Sequence, residues 1–314
     1  MKLHHNIKLY SDTLRAVSQH LNIKLEFIEK DYWITLVLNR LAKSQYVDES
    51  VFKGGTSLSK GFNLIERFSE DVDIAIINDK GMTGNEIKNI IRTIEKEITS
   101  DLSELQMDGV TSKGSRFRKS VFEYVSIDKD NQNNKLTVEI NSFANPFPFQ
   151  RIAIKSFVFD FLMQTSNEEY IEKYDLQSFD VNVLSKEQTL LEKTVSLIRF
   201  SFEENTVESI SKKIRHFYDL HFLMNNAKCA EFVASDSFKT KFDNILHHDR
   251  EIFDEPKGWQ TKQISESPLL NSFSSIWEKV RAIYQTELSA LAYRAIPSEE
   301  SIAKSFIELT NRIR

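Results

Sequence analysis

Two carboxylates one residue apart, Asp71 and Asp73, lie in an otherwise apolar run, Asp71-Val72-Asp73-Ile74-Ala75-Ile76. In a strand alternate residues share a face, so the two acids point together while Val72, Ile74 and Ile76 turn into a core. Like charges side by side repel and call for a cation, and hard carboxylate oxygens suit Mg2+. Upstream, the apolar strand end Val51-Phe52 leads to a paired glycine turn, Gly54-Gly55, and Thr56 and Ser57 then offer a helix cap. Leu58, Phe62, Ile65 and Phe68 predict one apolar helical face that runs on to Phe68. A glycine turn, a helix start and a carboxylate pair on the next strand make a phosphate cradle beside a metal site.

The elements that must position these groups are legible on either side. Residues 9 to 42 read as helices, and Lys24 to Leu41 reads as a core helix with one solvated face, on which Lys30 or Asp31 is placed to buttress the site. Gly81 and Gly84 mark a turn, after which Ile87, Ile90, Ile91, Ile94 and Ile98 form a helical stripe. Lys113, Arg116, Arg118 and Lys119 surround Phe117. They read first as cations guarding a hairpin edge and second as a contact for RNA, with an aromatic to stack on. Val121 to Ile127 and Leu136 to Ile140 read as two strands around the polar turn Asp128 to Asn134. The break Asn145-Pro146-Phe147-Pro148 predicts a domain boundary, 1–145 followed by a mostly helical 146–314. Beyond it, Phe179 to Leu184 reads as a short strand, and Ser185 with Gln188 reads as a capping box for the helix carrying Lys193. In the next helical stretch Arg215 and Asp219 are four apart, as in a helix surface pair. His247-His248 reads as surface, since adjacent helical histidines face different ways.

Composition bounds the function classes. The chain carries 41 Lys and Arg against 46 Asp and Glu, so any RNA contact must come from a local basic surface. Its single cysteine, Cys229, excludes an internal disulfide framework and fits a reducing cytosol. The N-terminus MKLHHNIKLYSD has no apolar signal core, and no run approaches the roughly 20 apolar residues of a membrane helix. A cytoplasmic protein with no membrane partner is the expectation.

The order of glycine turn, helix and carboxylate strand resembles the nucleotidyltransferases of the DNA polymerase β superfamily. The wording GGTSLSKGFNLIERFSEDVDIAI is similar to the AbiEii/AbiGii toxin family, which includes the MenT toxins. EKDYW at Glu29 to Trp33, Glu192-Lys193, and Arg215-His216-Phe217-Tyr218-Asp219-Leu220 extend the resemblance over nearly the whole chain. In the last motif His216 stands where the family has aspartate. The resemblance implies an α/β or α+β fold: a polymerase β-type domain with a mixed sheet and N-terminal helices, then a helical bundle, with the active site in the cleft between them. It implies transfer of a nucleoside monophosphate from an NTP to a hydroxyl. Asp71, Asp73 and Glu139 would be the metal ligands for two Mg2+, Glu139 being the third carboxylate on a neighbouring strand. Gly54, Gly55 and Ser57 would cradle phosphates. Lys193 would neutralise triphosphate charge, with Arg215 beside it and Asp219 positioning one or the other. It further implies a toxin of a toxin–antitoxin or phage-defence pair, a cognate antitoxin as partner, and the 3′ end of tRNA as acceptor. Two rivals are a protein hydroxyl, including self-modification at Ser69, and a catalytically silent module that acts by sequestration. The intact Asp71, Asp73 and Lys193 oppose the silent module, because clustered charge is costly to keep.

Overall fold

The computed structural model describes residues 2–69, 71–79, 81–128 and 133–314. Glu70 of the central motif and residues 129–132 of the expected polar turn lie outside the described residues. The chain divides into two compact units, Met1–Asn63 with Phe68–Leu184, and Leu64–Arg67 with Ser185–Arg314.

In the first unit, helices α1 (Ile7–Leu21) and α2 (Leu25–Lys43) precede β1 (Ser50–Lys53), α3 (Gly54–Lys60) and β2 (Asp71–Ile76). Then come α4 (Gly84–Ile98), β3 (Ser103–Leu105), β4 (Ser112–Lys113), β5 (Phe117–Glu123), β6 (Lys135–Asn141), β7 (Phe149–Ile154), α5 (Phe157–Gln164), α6 (Glu169–Lys173) and β8 (Phe179–Leu184). The strands form a mixed sheet in the order β3-β5-β6-β2-β1-β8-β7, with β4 on β5. β2 runs parallel to β6, and β1 runs antiparallel to β2 and parallel to β8.

The isoleucine stripe of α4 is buried, at about 1.5–3 kcal/mol for each side chain removed from water. Thr83 caps that helix in a capping box with Glu86. The helix after the glycine turn does not run on to Phe68. It ends at Lys60, and Asn63 takes a left-handed φ of 48° that no α-helix continues through. The expected solvated face of α2 is also absent. Its residues from Phe27 to Asn39 are buried all round, Glu29, Lys30 and Asp31 included. The first strand of the expected pair starts at Phe117 and so takes in Phe117, Arg118 and Lys119.

The unit boundary falls at Leu184/Ser185, later than the expected 145/146. The reason is hydrogen bonding: β7 pairs with β8, and β8 joins β1 through Phe52 and Val183. Both strands after the proline break therefore belong to the first sheet, β7 at its edge and β8 between β7 and β1.

The second unit holds α7 (Lys186–Phe200), α8 (Thr206–Ser211), α9 (Ile214–Met224), α10 (Ala227–Ala234), α11 (Ser237–Ile252), α12 (Pro268–Asn271), α13 (Phe273–Leu291) and α14 (Glu299–Thr310). Ser185 caps α7 by accepting the Gln188 amide at 3.1 Å. The expected helical stretch carrying Arg215 and Asp219 is divided from what precedes it, because the chain turns at Lys212-Lys213 between α8 and α9. Phe217 of α9 meets Phe273 and Trp277 of α13 and Phe306 of α14 at ring separations of 4.9–6.1 Å, an aromatic centre for the bundle. Among the described residues no helix is long and apolar enough to cross a membrane.

Candidate active site

The sheet register assembles a row of charge across four strands. Lys53 of β1 pairs with Asp73 of β2, Asp73 with Glu139 of β6, and Glu139 with Lys119 of β5. Directly opposed residues project from the same face, and Asp71, two residues before Asp73, projects with them. The face therefore carries three carboxylates flanked by two lysines. Lys119 Nζ lies 3.5 Å from Glu139 Oε2, and the two side chains keep 34% and 26% of their exposure, so solvent and ligands reach them. Among the described residues the three acids are not all drawn within 4.8 Å of one another, which like charges on adjacent strands resist. The donor set, half-buried and all oxygen, suits a hard divalent ion.

Gly54 borders this row. Its φ is +79°, which L side chains rarely adopt, and a Cβ there would sit 2.1 Å from Asp73 Oδ2. Only glycine lets the turn lie against that carboxylate. Gly55 is half-exposed beside it. Ser57 is fully buried, and its hydroxyl donates to the Gly54 carbonyl at 2.8 Å. The serine expected to offer its hydroxyl to a phosphate is thus spent on holding the turn. Thr56 makes a second tie, donating its hydroxyl to the Asp71 carbonyl.

The far end of α3 is anchored from α2. Lys60 donates to Asp31 Oδ1 at 2.6 Å and to the Lys155 carbonyl at 2.6 Å, and the Phe157 amide donates to Asp31 Oδ2 at 2.9 Å. Burial pushes the Asp31 carboxyl up, against the opposing pull of the Lys60 ammonium. One buried acid thereby ties α2, α3 and the start of α5 together.

In the second unit a buried triad forms around Asp219 of α9. Arg67 donates to it through Nε at 2.8 Å and Nη2 at 2.6 Å, and Lys193 of α7 lies 2.8 Å away. Burial alone would raise the Asp219 carboxyl, but Arg67 and Lys193 outweigh it and hold the acid well below the usual carboxylate range. The Leu64–Arg67 segment is fastened on both sides. Glu66 donates its amide to Tyr218 Oη at 3.4 Å and accepts from the Tyr293 amide at 3.1 Å, and Arg67 bridges to Ala292. Arg215, four residues before Asp219, does not take the helix-surface pairing expected for it, because Asp219 faces inward to Arg67 and Lys193. His216 is half-buried. Burial, then Lys193 and Lys213, push its pKa well below the ordinary value, so the imidazole is neutral where the family carries a charged acid.

The sequence model of the AbiEii nucleotidyl transferase toxins, type IV toxin–antitoxin systems, matches residues 36–290. The chain belongs to that family. No curated relative matches it in sequence. Among solved structures it is similar to the MenT4 nucleotidyltransferase toxin from Mycobacterium tuberculosis H37Rv, at 16% identity over 96% of this chain and 97% of that one, with a TM-score of 0.48. It is also similar to an antigenic nucleotidyltransferase-like protein from Paracoccidioides brasiliensis, at 13% identity over 70% and 88% of the two chains, with a TM-score of 0.33.

Within this AbiEii nucleotidyltransferase the basic segment 112–119 is mostly paired. Arg118 meets Glu95 at 2.5 Å, Lys113 meets Glu104 at 2.6 Å, and Lys119 belongs to the charge row. Arg116 and Lys113 are the exposed cations of the set. Ser69 is 7% exposed, which removes it as an accessible acceptor for self-modification. His247 pairs with Glu251 one turn on, at 3.2 Å on the surface of α11.

Three residues of these charged groups escaped sequence reasoning. Arg67 precedes the acids within RFSEDVD, and a cation in so specific a motif was a signal. Lys53 stands directly before the glycine pair. Lys119 was visible only as one of four cations, because its place beside Glu139 depends on strand register.

Proposed function

We propose that this AbiEii toxin transfers a nucleoside monophosphate from an NTP to the 3′ end of tRNA, with Asp71, Asp73 and Glu139 holding Mg2+ at the face of β2 and β6. The observation that carries the reading is the in-register pair Asp73–Glu139 with Asp71 on the same face, bordered by a glycine turn only glycine can make. When bound, two Mg2+ would neutralise the triphosphate and polarise the attacking oxygen. The chain's own residues do the rest. Asp71 and Asp73 would hold the ions at the face of β2. Glu139, with Lys119 Nζ 3.5 Å away, is placed to accept the proton of the incoming hydroxyl. The exposed backbone at Gly54 and Gly55 gives the triphosphate amide donors, while Ser57 and Thr56 keep the turn in shape. We also assign Lys193, oriented by Asp219, and Arg215 to triphosphate charge. Positioning and charge neutralisation supply most of the catalysis of such a transfer.

The test is incubation of the purified protein with each labelled NTP and total cellular RNA, with Mg2+ and with EDTA. The expected result is Mg2+-dependent labelling of the tRNA band by one NTP, absent in Asp73→Asn. Labelling of protein and never of RNA would defeat the tRNA acceptor. Labelling of neither, with NTP binding intact, would favour sequestration.

A further inference from the structure

We infer that His4, His5 and Asp101 form a site for a single borderline divalent transition-metal ion, Zn2+ by the chemistry of its donors, apart from the carboxylate row. Their ligand atoms lie within 4.8 Å of one another, the described group that meets this condition. His4 and His5 sit on the short turn Leu3–His5, and Asp101 follows the end of α4. His4 Nε2 lies 3.6 Å from Asp101 Oδ2. Tetrahedral Zn2+ with bonds of about 2.0–2.1 Å separates its ligand atoms by about 3.3–3.4 Å, so these two atoms already stand close to that spacing. His5 and Asp101 are exposed and close the remainder by side-chain rotation.

Two features set this cluster apart from a casual surface group. First, His4 Nε2 is a buried ring nitrogen with no hydrogen-bond partner, a group that costs free energy unless a ligand satisfies it. Second, the ligands are already oriented by outer partners. His4 Nδ1 is hydrogen-bonded to Tyr32 Oη at 2.7 Å, which leaves Nε2 as the atom turned to Asp101. Arg40 donates to Asp101 Oδ2, the oxygen that also faces His4, and to the Ile98 carbonyl at 3.1 Å, so the carboxylate is fixed in place with lone pairs left on both of its oxygens. Ligating histidines and carboxylates are commonly held by such hydrogen bonds. Two imidazoles and one carboxylate favour Zn2+ over Mg2+ and leave a fourth position for water. The ion would fasten the N-terminal turn to α2 and to the end of α4.

The test uses the full chain, stripped with EDTA, dialysed and titrated with Zn2+ alone by calorimetry, then with Co2+ followed by its visible absorption. One equivalent bound at micromolar Zn2+ is expected, together with a rise in melting temperature. In His5→Ala and in Asp101→Asn, both surface changes, affinity should fall at least about tenfold and the rise should vanish. Asp73→Asn and His247→Ala should retain the equivalent, which separates this site from the carboxylate row and from α11. Unchanged affinity in both His5→Ala and Asp101→Asn would overturn the site. So would a wild-type chain that takes up Zn2+ only at millimolar concentration.

Discussion

The charge row of the first unit and the triad of the second use the same side-chain types in opposite ways. Asp73, Glu139, Lys53 and Lys119 stand half-buried on an open sheet face. Arg67, Asp219 and Lys193 are 3%, 0% and 8% exposed at the side chain and already touch one another. A half-buried acid keeps much of its hydration and can exchange it for an ion at little cost. A fully buried acid must be compensated in the folded chain itself, because losing water without a partner costs several kcal/mol. The row therefore suits the ligand role proposed for it, and the triad holds Leu64–Arg67 and Lys193 in place.

That contrast is sharpest at Asp219→Asn. Removing the shared carboxylate leaves two buried cations uncompensated and should destabilise the second unit by about 3–5 kcal/mol, read by urea unfolding. Its folded pKa lies below its unfolded value, so the wild-type contribution is full above pH about 4 and declines as pH falls toward the folded value. The variant should lose that acid-dependent part. Unchanged stability in Asp219→Asn would break the comparison.

Gly54→Ala should cost about 1–3 kcal/mol from the positive φ, and should also abolish transfer, because the new methyl displaces the Asp73 carboxylate. Melting temperature and NTP labelling measured together would separate the two effects. Full activity in a destabilised protein would detach the glycine turn from the site.

Arg118→Gln should cost about 1 kcal/mol, since Glu95 is buried and keeps only its Ser120 donor. Arg116→Glu, on an exposed residue, should stay within about 0.5 kcal/mol and weaken RNA labelling without changing NTP affinity. RNA labelling equal to wild type in Arg116→Glu would return the segment to edge protection.

The smallest stability effect is expected at Asp73→Asn. It relieves repulsion on the open face, so the metal-free fold should be as stable as wild type or more so, with transfer lost. A marked fall in melting temperature there would make the row a structural network like the triad.

The sequence alone determined the parts that rest on local pattern. Alternation placed Asp71 and Asp73 on one face, because a strand has a two-residue period. The isoleucine spacing marked α4, because a helix repeats every 3.6 residues. The specific wording of 53–73 and 186–220 carried the family. Tertiary structure decided what depends on partners distant in the chain. Strand register put Lys53 and Lys119 at the ends of the acid row, and no local period encodes which strand lies next to which. Burial on every side turned α2 inward, so that Asp31 became an anchor for Lys60 rather than a solvated acid. The inward turn of Asp219 chose Arg67, 152 positions away, over the helix neighbour Arg215, because a buried carboxylate is stabilised most by the cations buried with it.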